Sequence, residues 1–125
     1  MTVYYPDLAE VVAMHDVQIR LHGGSVGLRD KGQLESALHR PQTGYYLDLI
    51  QEAAALWESL SQNHPFVDGN KRTAIVATFA FLFGNGLRVT ASDTERKAFA
   101  AECYETGTFA FDKIDAWLRV NTAPV

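Results

Sequence analysis

The sequence has few cysteines and no excess of positive charge. Its 125 residues include one cysteine, Cys103, so they cannot form an intramolecular disulfide or a zinc site built from several thiolates. Eleven Lys and Arg against fifteen Asp and Glu give a formal net charge of −4, whereas a general nucleic-acid binder presents a basic surface. We therefore expect no direct nucleic-acid binding, and any phosphate chemistry must come from a local basic cluster.

Long apolar runs, linkers and repeats are also missing from the sequence. The most apolar stretch, residues 74–83, spans about ten residues, and a membrane-spanning helix needs roughly 20. The N-terminus shows no basic segment followed by an apolar run, as a signal peptide would. Because no Pro-, Gly- or Ser-rich linker interrupts it, the chain is expected to form a single domain over residues 1–125. We expect a soluble cytoplasmic protein without membrane contact.

Apolar residues recur at helical spacing along most of the chain, which predicts an all-α fold. The spacing and the capping residues predict helices over residues 7–22, 31–40, 45–63, 70–83, 93–106 and 112–119. Three glycines within Gly23–Arg29 predict a hairpin or an extended flap. Residues 87–90 are expected to form a short extended piece. The helix at 70–83 is apolar almost all the way round, which predicts a central helix buried on all sides.

The first turn of that central helix carries Lys71 and Arg72. The positive end of a helix dipole disfavours cations there by roughly 0.3–1 kcal/mol each. A bound anion reverses this preference, because free backbone N–H groups, the dipole and both cations then favour the same ligand. Gly69 leaves space for a phosphate to approach the backbone. The segment therefore predicts a phosphate site.

Two reacting groups, His64 and Asp68, precede this helix within residues 64–72, His-Pro-Phe-Val-Asp-Gly-Asn-Lys-Arg. An imidazole can accept the proton of an alcohol at neutral pH, and a carboxylate beside phosphates suits Mg²⁺. Asn70 can orient a phosphate oxygen or a carbonyl, and Phe66 is the expected inward anchor of the loop. Together these groups suit transfer of a phosphoryl or nucleotidyl group from a Mg-nucleotide to a hydroxyl.

Structural roles for these residues stay open at this point. Asp68 can serve as the N-cap of the central helix, with or without a metal. Lys71 and Arg72 can form a solvated face, and Arg72 can pair with a buried carboxylate. Arg29 can contact a target or point to solvent. We interpret three other histidines as surface or satisfied polar residues: His15, His22 and His39.

Known nucleotide-binding motifs are absent from the sequence, but one family signature is present. There is no Gly-x-x-x-x-Gly-Lys-Ser/Thr loop, no Gly-x-Gly-x-x-Gly after a strand and no protein-kinase motif set. The run from His64 to Arg72 resembles the signature of the Fic/Doc superfamily, and its last three residues resemble the death-on-curing (Doc) toxin branch. Fic enzymes usually carry a glycine where Lys71 stands and a second arginine where Ile75 stands. Residues 23–30 also resemble the Doc flap.

The resemblance implies a compact bundle of about six helices with a small β-flap. It implies a toxin of a type II toxin-antitoxin system, a kinase that uses ATP and Mg²⁺ to phosphorylate a threonine of elongation factor Tu and so arrests translation. His64 would deprotonate the hydroxyl, and Asp68 would hold Mg²⁺. The phosphates would be bound by Gly69, Asn70, Lys71 and Arg72. The flap that holds the target would consist of Gly24, Ser25, Val26, Gly27 and Leu28. A cognate antitoxin, of the Phd type or similar, would neutralise the toxin.

Two other functions remain open from the sequence. One is Fic-type transfer of AMP to a protein hydroxyl, which the differences at Lys71 and Ile75 disfavour. The other is a catalytically silent module that binds an antitoxin, which the intact pair of His64 and Asp68 disfavours.

Overall fold

A computed structural model describes residues 2–125 and, over that range, shows six α-helices and a two-stranded antiparallel sheet. The helices are α1 (Leu8–His22), α2 (Lys31–His39), α3 (Leu49–Gln62), α4 (Asn70–Gly84), α5 (Asp93–Thr106) and α6 (Phe111–Val120), with a 3₁₀ turn at Arg40–Gln42. The strands are β1 (Leu87–Val89) and β2 (Thr122–Pro124). The predicted fold class is confirmed. No helix of the described chain has the length and apolarity needed to cross a bilayer.

Side-chain caps set the start of most helices. Asp7 and Ser92 form complete capping boxes with the glutamates three residues on, and Asp30 caps α2 through the N–H of Gln33. The predicted start of α3 at residue 45 is wrong. Asp48 accepts the N–H of Gln51, so the helix begins only at Leu49.

The core is built around Trp57 of α3, which is fully buried. Its ring meets four aromatic side chains edge-on: Phe79, Phe99, Phe109 and Trp117. Each such pair contributes beyond the apolar area that it buries, so this cluster joins α3 to α4, α5 and α6. The cluster packs α3 against α4, and the loop between these two helices, residues 63–69, carries His64 and Asp68.

Helix α4 is central, but the prediction that it is buried on all sides is wrong. Its buried residues include Ala74, Ala77 and Phe81, whereas Phe83 is 64% exposed. One side of the helix instead lines a groove of about 580 Å³. Apolar composition alone does not show which face of such a helix stays open, because the pattern has no polar stripe to mark it.

The sequence predicts a hairpin or an extended flap for the glycine-rich segment 23–29, and the structure shows the flap. This segment runs beside the loop between α3 and α4. Leu28 forms an antiparallel bridge with Phe66, and the N–H of Val67 donates to the carbonyl of Gly27 at 3.0 Å. The small sheet lies elsewhere, between β1 and β2, with Arg88 opposite Ala123. The flap is therefore attached directly to the loop that carries the predicted reacting groups.

Candidate active site

The loop between α3 and α4 is anchored by Phe66, which is 2% exposed. Its ring stacks on the imidazole of His15 from α1, with centroids 3.9 Å apart. His15 is 1% exposed and donates from Nε2 to the carbonyl oxygen of Asp68 at 2.8 Å. The prediction for Phe66 is confirmed, and His15 is a satisfied polar residue as interpreted. Its support of the loop was missed, although its spacing of four residues from both Val11 and Ile19 places it on the buried face of α1.

The side chain of Asn70 closes the same loop. Its Oδ1 accepts the N–H of Phe66 and its Nδ2 donates to the Phe66 carbonyl, both at 2.9 Å. Both ends of the amide are thus engaged with the backbone. The predicted phosphate contact of Asn70 stays a prediction, and in this conformation it would use the backbone N–H.

Replacing Asn70 with alanine is expected to lower the free energy of unfolding by about 1–3 kcal/mol, because two hydrogen bonds of about 0.5–1.5 kcal/mol each are lost. Urea denaturation measures the change. N70D keeps the acceptor for the Phe66 N–H and loses only the donor, so it should fall between the wild type and N70A. An N70A protein with wild-type stability would contradict this structural role.

The carboxylate of Asp68 is exposed and connects the flap with the start of α4. Its Oδ2 accepts the N–H of Ser25 at 3.1 Å, and its Oδ1 accepts the N–H of Gly69 at 2.8 Å. The bond from Ser25 has the largest effect on the pKa of Asp68. Together with the bond from Gly69 and the charge of Arg72, it holds this pKa below its ordinary value of 3.8. Gly69, with φ +74°, is the N-cap of α4, so the alternative that Asp68 is the N-cap is wrong.

Asp68 is the one carboxylate among the residues that line this part of the described chain, His64 and residues 67–72. The described residues also contain no group of three or more His, Cys, Asp or Glu that could hold a metal without a ligand's help. Such a site fits Mg²⁺ in the mode in which one or two carboxylates share the ion with substrate phosphates. The exposure of Asp68 and its lowered pKa, which keeps it ionised at neutral pH, agree with that mode.

The two cations of α4 are engaged with protein groups and face shared clefts. Lys71 Nζ lies 4.1 Å from the centroid of the Tyr104 ring, and Arg72 Nη2 donates to the carbonyl of Gly23 at 3.0 Å. Both line a cleft of about 380 Å³ together with His64 and with Val67, Asp68, Gly69 and Asn70. The structure thus brings together all the residues predicted to react or to bind phosphate.

A second cleft lies on the other side of His64. It measures about 340 Å³ and is also lined by Lys71, Tyr104 and Phe109. His64 and Lys71 border both clefts, so the imidazole stands where two ligands could meet.

Gly24 of the flap packs directly against Asp68. A Cβ at Gly24 would lie 2.6 Å from Asp68 Oδ2, and its φ of +117° disfavours any other residue. G24A must therefore displace the carboxylate or the flap, and we expect the Ser25 amide, which donates to that carboxylate, to exchange its hydrogen faster than in the wild type.

Gly27 offers the matched control for G24A. Its φ of +123° is similar, but a Cβ there would only reach Val67 at 3.5 Å. G27A should therefore show a similar loss of thermal stability, with hydrogen exchange at the Ser25 amide close to that of the wild type. Equally faster exchange at Ser25 in G24A and G27A would show that backbone strain, and not contact with Asp68, matters.

Arg29 lies at the end of the flap and contacts the backbone directly after the end of α3. Its Nε donates to the His64 carbonyl at 2.6 Å and its Nη2 to the Asn63 carbonyl at 3.1 Å. From the sequence, Arg29 could contact a target or point to solvent. The sequence did not predict these bonds to the backbone.

Comparison with known proteins identifies the family to which the chain belongs. The model of the Fic/DOC family matches residues 5–82. The chain is 48% identical over 80 residues to "Toxin Doc" of Mycolicibacterium smegmatis, covering 59% of this chain and 62% of that protein. It is 34% identical over 84 residues to "Protein kinase doc" of Escherichia phage P1, covering 64% and 67%. The match thus spans about three fifths of the first relative. Because the family match covers more than half of the chain, including the flap and residues 64–72, the protein belongs to the Fic/DOC family, as its signature predicted.

Proposed function

We propose that this protein is the toxin of a toxin-antitoxin pair and transfers the γ-phosphate of ATP to a hydroxyl of another protein. The observation that carries the proposal is the cleft at the start of α4, where an imidazole, a carboxylate and two cations converge. Two relatives support it by name, one a Doc toxin and the other a Doc protein kinase.

The phosphates would bind at the N-terminus of α4. Among the described residues no side chain caps its first turn, so backbone N–H groups there remain available to an anion. Lys71 and Arg72 add positive charge on the same side. Lys71 acts as a point charge that must leave the ring of Tyr104, whereas Arg72 can bind two phosphate oxygens at once.

Asp68 is the residue that would share Mg²⁺ with the phosphates. The ion would offset the charge of the phosphate oxygens and help to orient the nucleotide. The bonds from Ser25 and Gly69 fix the carboxylate toward the cleft, since each donor is part of the surrounding backbone.

His64 would act as the general base. It takes the proton of the acceptor hydroxyl while the hydroxyl oxygen forms a bond to the γ-phosphorus. The bond between that phosphorus and the bridging oxygen breaks, ADP leaves with the electron pair, and the proton stays on the imidazole. The exposed position of His64 between the two clefts leaves the ring accessible to an acceptor on a protein surface.

The acceptor we propose is a threonine of elongation factor Tu, so that phosphorylation arrests translation, and the partner we propose is a Phd-type antitoxin. The flap supports a protein acceptor. Residues 24–28 run beside the loop between α3 and α4 and include Val26, which is 70% exposed, and backbone of this kind can pair with an extended peptide.

Labelled ATP tests the proposal directly. Purified protein is incubated with Mg²⁺, purified elongation factor Tu and ATP labelled at either the γ or the α phosphorus. Label from the γ position alone supports the kinase. Label from the α position would mean AMP transfer and would contradict the proposal. The absence of label, both with this factor and with a whole-cell extract, would contradict an enzymatic function.

A further inference from the structure

His64 has an unusual backbone conformation. Among residues 2–125 it is the single residue other than glycine with a positive φ, at +49°. A non-glycine residue is disfavoured there, and the following Pro65 restricts its backbone further. Such a conformation persists where surrounding contacts determine it, and it is typical of active sites. The contacts that hold His64 are therefore part of the site.

Those contacts come from one short segment of the flap. The guanidinium of Arg29 binds the carbonyls of Asn63 and His64, at 3.1 and 2.6 Å. The backbone N–H groups of Arg29 and Asp30 both donate to the carbonyl of Pro65, at 2.8 and 2.9 Å. Arg29 and Asp30 thus bind three consecutive carbonyls, which run from Asn63 to Pro65.

The guanidinium is suited to this position for two reasons. Its N–H donors form a rigid planar fork, so binding two adjacent carbonyls fixes their relative orientation. The two carbonyls also directly follow the last residue of α3, Gln62, so the guanidinium stands near the negative end of the helix dipole, which attracts a cation. Neither the backbone bonds to Pro65 nor a lysine at this position would orient the His64 peptide in the same way.

We propose that Arg29 is a positioning residue, which keeps His64 in its left-handed conformation and so aims the imidazole at the acceptor hydroxyl. This rests on the proposed function of His64 as the base. Arg29 acts through the His64 carbonyl and does not itself touch the reacting atoms. Because it directly follows flap residues 24–28, it also joins the segment that would hold the acceptor to the group that would deprotonate it.

Steady-state kinetics of R29A and R29K provide the first test. A displacement of about 1 Å at a reacting group can cost about 100-fold, so kcat of R29A should fall by about that factor. The KM values for ATP and for elongation factor Tu should stay within about twofold of the wild type. R29K should recover part of the loss, because an ammonium can bind one of the two carbonyls. R88A, which removes an exposed arginine of β1, is the matched control and should behave as wild type.

Backbone ¹⁵N relaxation provides a second test that needs no activity. The order parameter of the His64 amide should be near 0.85 in the wild type and R88A and below about 0.6 in R29A. Ordered His64 in R29A would overturn the proposal, as would a raised KM for the acceptor with unchanged kcat, which indicates direct substrate contact. If the wild type transfers no phosphate, the proposed function fails, and relaxation still decides whether Arg29 holds His64.

Discussion

Replacing His64 with asparagine is expected to lower phosphoryl transfer by about 10²–10⁴-fold, the usual contribution of a general base, while leaving the fold at least as stable. An amide cannot take up the proton. It is, however, one of the side chains most tolerant of a positive φ, and His64 stands at +49°. Because the imidazole is exposed, little packing is lost. The free energy of unfolding should be unchanged or higher by up to about 1 kcal/mol.

Single-turnover transfer and urea denaturation measure the two halves of this prediction. The matched control is H39N, which changes an exposed histidine in the last turn of α2 and should alter neither quantity. Transfer by H64N at the wild-type rate would show that His64 is not the general base. A clear loss of stability in H64N would show that the backbone at this position is not strained.

The H64N substitution should also abolish the growth inhibition expected of the toxin. Under the proposed function, cells that express H64N should grow normally, and the protein should still bind the proposed antitoxin, because the substitution changes one exposed side chain on a stable fold. A toxic H64N protein would favour inhibition by binding alone.

The helices and the composition of the site follow from local patterns. Asp30 and Ser92 predict their helix starts because each has a Gln or Glu three residues further on, at the spacing of a capping box. The cleft is predictable for a similar reason. Residues 64–72 run continuously from one helix end into the next helix start, so their proximity needs no knowledge of the rest of the chain.

The contacts that orient the site join distant parts of the chain. Ser25 and Asp68 are 43 residues apart, His15 and Asp68 are 53 apart, and Arg29 and His64 are 35 apart. No short motif links such pairs, and a hydrogen bond to a backbone carbonyl places no demand on the sequence of its acceptor. The sequence therefore predicts which groups react, whereas their orientation depends on tertiary packing.

Short or irregular elements were missed for another reason. Strand β2, Thr122–Pro124, contains alanine and proline and has no strand pattern of its own, so it exists through its pairing with β1. At the start of α3 the aromatic residues Tyr45 and Tyr46 continue an apolar pattern. The cap by Asp48 is the stronger local signal, because it satisfies an N–H group that the helix leaves without a partner.

Replacing Asp68 with asparagine is the second substitution with a large expected effect. The amide carries no charge to share Mg²⁺ with the phosphates, and the loss of several kcal/mol of charge stabilisation corresponds to about 10²–10⁴-fold in transfer rate. The carboxylate accepts the N–H groups of Ser25 and Gly69 on separate oxygens. An amide has one acceptor oxygen, so one of these N–H groups must lose its partner.

Transfer by the wild type should therefore rise with Mg²⁺ and saturate, whereas the residual rate of D68N should saturate only at a higher Mg²⁺ concentration, because the phosphates then hold the ion without the carboxylate. Amide hydrogen exchange in D68N should be faster at Ser25 or at Gly69, which shows which bond has been lost. D112N, which removes an exposed carboxylate in the first turn of α6, should retain the wild-type metal dependence. If D68N kept the wild-type metal dependence, the carboxylate would not hold Mg²⁺. Its role would then be limited to its two bonds with the backbone, at Ser25 and Gly69.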